Sequence, residues 1–285
     1  MAAKTILLLL ILAVLLCVNG CVSFPKRAQQ PQPRQPKPRG VEIEYLTWVE
    51  AEKVLTKDTV VVIALGARSK EHGPHLPLNN DYVMAEYFKR RVLETEDVVV
   101  YPTIENHYYP AFTEYPGSIS LNPQTACDMT VEIIRSIAAH GPRRFYVINT
   151  GVSTIRPLAV SAEIVAREGI LMDFTVWRKH LAPVIDAISK EEGGSHADEI
   201  ETSLMLYIAP ELVDMTKAVR DYNPDRPGPL TRTPDGEGTY SPTGIWGDPT
   251  LATKEKGRQF TEALVAGIKQ DIRDLRTQPL PTPAK

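Results

Sequence analysis

The stretch that decides the fold is residues 59–81, which read Thr59-Val-Val-Val-Ile-Ala-Leu-Gly-Ala-Arg-Ser-Lys-Glu-His-Gly-Pro-His-Leu-Pro-Leu-Asn-Asn-Asp81. The first seven residues form a β-branched apolar run that ends at Gly66, which is typical of a buried strand. Apolar residues then recur at helical spacing from Asp81 to Leu93. A buried strand, a polar loop and a helix make the repeating unit of parallel α/β proteins.

The same alternation continues outward along the chain. It predicts further strands at 97–101, 144–149 and 170–177, and helices at 122–139, 155–167, 199–208 and 254–275. Asn122 and Pro123 supply a helix cap and a first-turn proline. We therefore expect one α/β domain over residues 41–276, with a mostly parallel central sheet flanked by helices on both faces. Functional loops should lie at the carboxyl ends of the strands.

Composition narrows the class of protein. The 285 residues carry a net charge of -3, 24% charged and 43% hydrophobic residues, which is ordinary for a globular chain and excludes general disorder. The balanced charge argues against nucleic acid as the main partner, because phosphate binding needs clustered Lys and Arg.

The first forty residues have the pattern of a targeting segment. Ile6 to Val18 is an apolar run too short for a membrane-spanning helix but suited to a signal peptide. Gly20-Cys21 then resembles a lipobox, so we expect a signal peptide at 1–20 and a lipid anchor on Cys21 at the bacterial cell envelope, facing the periplasm. The alternatives are ordinary cleavage near Gly20 or an uncleaved anchor. A Pro-rich, basic tether is expected at 21–40 and a disordered tail at 277–285.

Two clusters of polar side chains are candidates for chemistry. Glu71, His72, His75 and Asp81 fall within eleven residues directly after the first strand, and imidazole with carboxylate suits Zn, Mn or Fe. The alternative is a polar loop with hydrogen-bonded histidines. The second cluster begins at His196, where His196 and Glu199 are three residues apart and share one side if a helical turn begins there. The alternative is a helix start, where acids favour the positive end of the helix dipole. Candidate pocket residues are His75, Tyr108, Tyr109 and Trp177, although Trp177 also suits a core position.

Four motifs together resemble the creatininase (creatinine amidohydrolase) family. They are Lys-Glu-His-Gly-Pro-His-Leu-Pro-Leu at 70–78 with Asp81, Tyr-Pro-Gly-Ser-Ile-Ser-Leu at 115–121, His-Ala-Asp-Glu-Ile-Glu-Thr-Ser-Leu-Met-Leu at 196–206, and Trp-Gly-Asp-Pro-Thr-Leu-Ala at 246–252. The resemblance spans essentially the whole folded domain. It implies a three-layer α/β fold, a metal-dependent hydrolase of C–N bonds in a small amide, and assembly as a homo-oligomer.

The resemblance also implies roles for particular residues. His72 matches a metal-binding histidine, Asp81 an aspartate that bridges two metals, and Glu71 is the nearest match to the first glutamate ligand. That glutamate usually precedes the histidine by two residues, where this chain has Lys70. His196 and Glu199 match active-site residues, and Glu199 is also expected to bind metal.

One position departs from the family pattern. The family has a metal-binding histidine after the third strand, and Gly151 stands there in this chain. We therefore expect one tightly bound divalent ion (Zn, Mn or Fe) rather than two. The alternative is that Ser153, Thr150, His107 or water substitutes for the missing histidine. An active amidohydrolase is the leading interpretation, a small-molecule-binding pseudoenzyme on the same fold is the alternative, and a purely structural envelope lipoprotein is a third.

Overall fold

The computed structural model describes residues 37–225 and 228–284. Its central sheet has five strands, all paired in parallel, in the spatial order β1-β3-β2-β4-β5. The strands are β1 (Val41–Glu42), β2 (Val60–Leu65), β3 (Val99–Ile104), β4 (Arg144–Asn149) and β5 (Leu171–Phe174). Every residue of β2 is buried, as its unbroken apolar run predicts. A small two-stranded sheet pairs β6 (Leu230–Thr231) with β7 (Thr239–Tyr240).

Seven α-helices make the outer layers. They are α1 (Trp48–Val54), α2 (Asn80–Leu93), α3 (Pro123–Ala138), α4 (Ile155–Ala166), α5 (Trp177–Ile188), α6 (Glu199–Ile208) and α7 (Lys254–Thr277) among the described residues. Alternate residues of β2 point to opposite faces. Val60, Val62 and Ala64 pack with α2, α5, α6 and α7, whereas Val61 and Ile63 pack with α3 and α4. The predicted α/β class with three layers is confirmed.

The predicted strand at 170–177 is too long. β5 ends at Phe174, and Trp177 instead begins α5. The apolar residues Leu181, Val184, Ile185 and Ile188 of α5 pack on the core with Trp177, which is helical spacing. Sequence patterns did not predict α5 because Pro183 lies inside it, and proline is rarely tolerated in the interior of a helix.

Both ends of the folded part are attached to the domain. The Gly40 amide donates to the Leu93 carbonyl (2.9 Å), so the last residue of the expected tether belongs to the fold. At the other end the Ala284 amide donates to the Arg167 carbonyl (2.8 Å), so this part of the tail contacts the domain, and the expected disorder of 277–285 stays a prediction. The predicted signal peptide, Cys21 and the tether up to residue 36 lie outside the described residues. No helix within 37–225 and 228–284 is both long and apolar enough to cross a membrane.

Candidate metal centre

The site is built at the carboxyl end of β2. The loop after this strand folds back on itself, with the Lys70 amide donating to the Leu78 carbonyl (2.9 Å), and it leads directly into α2. Gly66 allows the return, because a Cβ there would lie 2.4 Å from the Asp81 carbonyl oxygen. Asp81 in the first turn of α2 is thereby held beside the strand end.

Three buried side chains form a group suited to a metal ion. One ligand atom each from His72, His196 and Glu201 lies within 4.8 Å of the others. The rings of His72 and His196 are in contact, with centroids 4.8 Å apart. Two imidazoles and one carboxylate are a donor set that Zn or Mn accepts. The loop after β2 therefore meets the start of α6 to make a candidate centre.

The chain bends sharply to bring His196 and Glu201 together. Ala197 has φ 48°, a left-handed conformation that costs a non-glycine residue about 1 kcal/mol. The Ala197 amide donates to Glu201 Oε2 (2.6 Å), and His196 Nδ1 lies 3.6 Å from the same oxygen. The bend explains why an acid five residues after His196, rather than three, reaches the imidazole.

Glu71 lies behind His196. Its Oε2 is 3.1 Å from His196 Nε2, and its other oxygen accepts from the Gly73 amide. Burial raises the pKa of Glu71, but the charge of His196 and the hydrogen bonds from His196 and Gly73 outweigh burial and lower it overall. Glu71 is thus held as a carboxylate that orients the His196 ring, and it lies outside the three-ligand group.

The Asp81 carboxylate contacts two side chains of the loop that precedes it, the ammonium of Lys70 and the imidazole of His72. Lys70 Nζ lies 2.7 Å from Asp81 Oδ2, and His72 Nε2 donates to Asp81 Oδ1 (2.8 Å). The other ring nitrogen of His72 faces the Lys70 carbonyl at 2.9 Å, so both nitrogens face oxygen acceptors and one of them must give up its contact before His72 can bind an ion. Burial raises the pKa of Asp81, but the charges of Lys70 and His72 outweigh it and hold that pKa well below its ordinary value. The predicted ligand is close to His72, yet both its oxygens are engaged.

Glu199 lies away from the three-ligand group. Its Oε2 accepts from Ser189 Oγ (2.9 Å) and from the amides of Lys190 and Glu191 (2.8 Å each), and its Oε1 pairs with Lys256. Burial raises the pKa of Glu199, whereas the hydrogen bonds from Lys256 and these amides lower it overall. The geometry therefore assigns Glu199 to fixing the 189–191 turn, and it favours Glu201 over Glu199 as ligand. Sequence reasoning missed Glu201, although it stands in the same motif.

A pair of carboxyl groups lies beside this region. Asp198 caps α6 by accepting from the amides of Ile200 (2.9 Å) and Glu201 (2.8 Å). Burial and the nearby Glu191 raise the pKa of Asp198 well above its ordinary value, and burial raises that of Glu191 to about 7. Burial thus shifts both carboxyl groups in the same direction near the start of α6.

The four candidate pocket residues lie in different surroundings. His75 is buried and bonds Thr202 Oγ1 through Nε2 (2.8 Å), and burial lowers its pKa to about 4. Tyr109 is buried next to Lys70, and Tyr108 is half-buried. Trp177 does line a cavity, and its Nε1 donates to the Asn149 carbonyl (3.1 Å).

Two cavities adjoin the candidate centre. The His196 cavity, of about 400 Å³, is lined by Ala111, Phe112, Val152, Ser153, Ser195, His196, Gly228, Leu230, Thr239 and Trp246. The Glu201 cavity, of about 370 Å³, shares Val152 and Ser195 with the His196 cavity. Its lining also includes Gly151, Trp177, Asp198 and Glu201. Their walls are mainly apolar, with hydroxyl groups at a few points, as in sites for small molecules.

Gly151 is enclosed by its neighbours. A Cβ at this position would lie 2.9 Å from Thr154 Oγ1 and 3.6 Å from the Tyr109 ring. Asn149 further fixes the turn by bonding both the carbonyl (2.7 Å) and the amide (3.1 Å) of Gly151. A ligand side chain therefore does not fit here without movement of Thr154.

The fold and the site define a class: a parallel α/β protein with a His/Glu group suited to a metal ion at the carboxyl edge of the sheet. A family model described as creatinine amidohydrolase matches residues 44–272. The chain belongs to the creatininase family, as its motifs predicted.

Relatives and solved structures extend over most of the chain. The creatinine amidohydrolase of Pseudomonas putida is 28% identical over 255 residues, covering 83% of this chain and 97% of the relative. The 3-dehydro-scyllo-inosose hydrolase of Thermotoga maritima is 25% identical over 268 residues, covering 84% and 85%. A manganese creatininase (TM-score 0.69, 25% identity, covering 84% of this chain and 100% of that one) and a mutant creatininase of the Zn-Zn type (0.71, 25%, covering 84% and 99%) share the fold. These likenesses support metal-dependent hydrolysis of C–N bonds as the class of activity.

Proposed function

We propose that this protein is a metal-dependent hydrolase of an amide C–N bond in a small molecule, with one ion held by His72, His196 and Glu201. The observation that carries the proposal is the convergence of these three buried ligands beside the His196 cavity. A bound ion would polarise the amide carbonyl and lower the pKa of a bound water. This set keeps His72 from the expected ligands, omits Glu71, Asp81 and Glu199, and adds His196 and Glu201.

The chain's own residues divide the remaining tasks. Phe112, Leu230 and Trp246 line the His196 cavity with apolar surface, which suits a compact, uncharged, planar amide. Ser153 and Ser195 place hydroxyl groups in the same wall, where they can bond the amide oxygen or nitrogen. Glu71, 3.1 Å from His196, is the carboxylate we assign to orient the His196 ring.

Removing His196 should abolish metal binding. Loss of a residue that merely supports a ligand costs 10–100-fold in affinity, so we expect His196→Ala to lose about 100-fold or more. The exposed His140 provides the matched control, since His140→Ala removes an imidazole that lines neither the His196 cavity nor the Glu201 cavity. Titration with Mn²⁺ and Zn²⁺, followed by hydrolysis of a panel of cyclic and linear amides, measures binding and activity together. Equal affinity in His196→Ala and wild type would contradict the proposed site.

A ligand-binding protein without turnover is the second candidate. It is favoured by the engagement of Asp81 with Lys70 and by the enclosed Gly151, since both positions match metal-binding residues in the family resemblance. The distinguishing result is a protein that binds members of the amide panel, with or without Mn²⁺, and releases no product.

We also propose that the mature chain is anchored to the cell envelope through lipid on Cys21. Support comes from the apolar run Ile6–Val18 followed by Gly20-Cys21. Cys21→Ala should move the protein out of the membrane fraction or leave it unprocessed. A variant that still fractionates with membranes and is processed as the wild type is would contradict the anchor.

A further inference from the structure

The Lys70 side chain places a positive charge in the site, and this charge is covalently part of the protein. Only 4% of its side chain and none of that of Asp81 is exposed, and their charged atoms are 2.7 Å apart. A buried carboxylate requires a compensating charge, and Lys70 supplies one without any bound ion. His72 Nε2 contacts the other Asp81 oxygen, so both oxygens are engaged within the loop.

The surroundings of the Lys70 ammonium suit that group rather than a metal. The ammonium lies 4.7 Å from the centroid of the Phe112 ring and 5.6 Å from that of Tyr109. Aromatic faces attract an ammonium through the negative charge above the ring. The ring faces offer no lone pair to a divalent ion, so an ion that replaced the ammonium would depend on the oxygens of Asp81 and of the Tyr109 hydroxyl.

We propose that the Lys70 ammonium takes the place of a divalent ion at Asp81, so that this chain holds at most one exchangeable ion, at His72, His196 and Glu201. The location of that one ion rests on the proposed function, whereas the replacement at Asp81 does not. The disagreement with a two-metal centre is thus physical: a tethered cation cannot be displaced by raising the metal concentration in the way that a free ion can. Lys256 neutralises Glu199 in the same manner.

The test is to remove the ammonium and count ions. Lys70→Met leaves Asp81 Oδ2 without its cation. The charge of Asp81 acts on the buried Tyr109 hydroxyl, which has no hydrogen-bond partner within the described chain. K70E adds a second carboxylate in the same place. Elemental analysis after equilibrium dialysis against Mn²⁺ should give at most one equivalent for the wild type and one more for each variant.

The matched control is Lys256→Met. It removes a lysine from another fully buried carboxylate, Glu199, which keeps three hydrogen bonds from Ser189, Lys190 and Glu191. Within the described residues, the hydrogen bonds and the ion pair of Glu199 involve no histidine and no aromatic hydroxyl. We therefore expect Lys256→Met to bind no additional Mn²⁺. A gain equal to that of Lys70→Met would show a non-specific effect of losing a lysine and would overturn the proposal.

Asp81→Asn provides a second measurement should the Lys70 variants fail to fold. The proposal expects the wild-type Mn²⁺ equivalent to survive at saturating Mn²⁺ in Asp81→Asn, with an affinity up to about 100-fold lower because the carboxylate that supports His72 is lost, and to be absent in His196→Ala. Two equivalents in the wild type, loss of the ion in Asp81→Asn, or folded Lys70 variants without a gain would each overturn it. A wild type that binds no Mn²⁺ would refute the proposed function, while a gain in Lys70→Met would still uphold the replacement.

Discussion

Asp81→Asn should lower the free energy of unfolding by about 3 kcal/mol or more, since breaking one partner of a buried ion pair leaves the other charge uncompensated. Lys70 is that other charge, and it has little access to water. The double variant Asp81→Asn/Lys70→Met removes both charges and should recover part of the loss. Urea unfolding of the two single variants and the double variant, with a chelator present, measures the coupling free energy independently of any metal.

The exposed pair Arg68–Glu105 is the control for this cycle. Its side chains are 55% and 36% exposed, and such pairs contribute about 1 kcal/mol or less. Arg68→Met should therefore change stability little. If the double variant lost as much free energy of unfolding as the two single variants combined, Asp81 and Lys70 would not be coupled.

The Asp81 pair also fixes the direction of a pH effect. The pKa of Asp81 is held below its ordinary value in the folded protein. Its stabilising contribution is therefore present above the unfolded-state pKa of about 4 and is lost as pH falls through the folded-state value. The stability difference between wild type and Asp81→Asn should accordingly shrink in acid.

Much of the fold could be predicted because its central strands are continuous runs of apolar residues in the sequence. β2 and β4 carry apolar residues on both faces, and the sequence places both within one residue of their observed bounds. α5 could not be predicted as readily, because Pro183 interrupts it and Trp177 continues the apolar run of the preceding strand. Local pattern thus fails where one element's hydrophobic residues extend into the next.

The site shows a different limit of sequence reasoning. His72 and His196 were predicted from residue type, and the structure brings their rings into contact. The choice between Glu199 and Glu201 depends on a left-handed Ala197, for which helical spacing gives no signal. The pairing of Lys70 with Asp81 depends on the loop's return across the end of β2. Residue identity nominates the chemistry, but the backbone decides which groups meet.

Gly257→Ala should destabilise the protein by about 3 kcal/mol, although in an exposed helix the same change normally stabilises by about 1 kcal/mol. The reason is contact between two backbones: a Cβ at 257 in α7 would lie 1.8 Å from the Ser203 carbonyl oxygen and 2.5 Å from its carbon in α6. Neither atom can rotate away, so α6 itself must move. Urea unfolding measures the loss, and Mn²⁺ titration measures its consequence, because α6 carries Glu201.

Gly267→Ala is the matched comparison within the same helix. The atoms nearest to a Cβ at 267 belong to the His180 side chain (2.2 Å to Nδ1), which can turn at the expense of its 2.8 Å contact with Asp271. We therefore expect a smaller loss of stability from Gly267→Ala and no change in Mn²⁺ affinity. If Gly257→Ala were as stable as wild type, the close approach of α6 to α7 would not be what fixes the position of Glu201. If it were destabilised with unaltered Mn²⁺ binding, the ion would be held independently of α6, and Glu201 would not be its ligand.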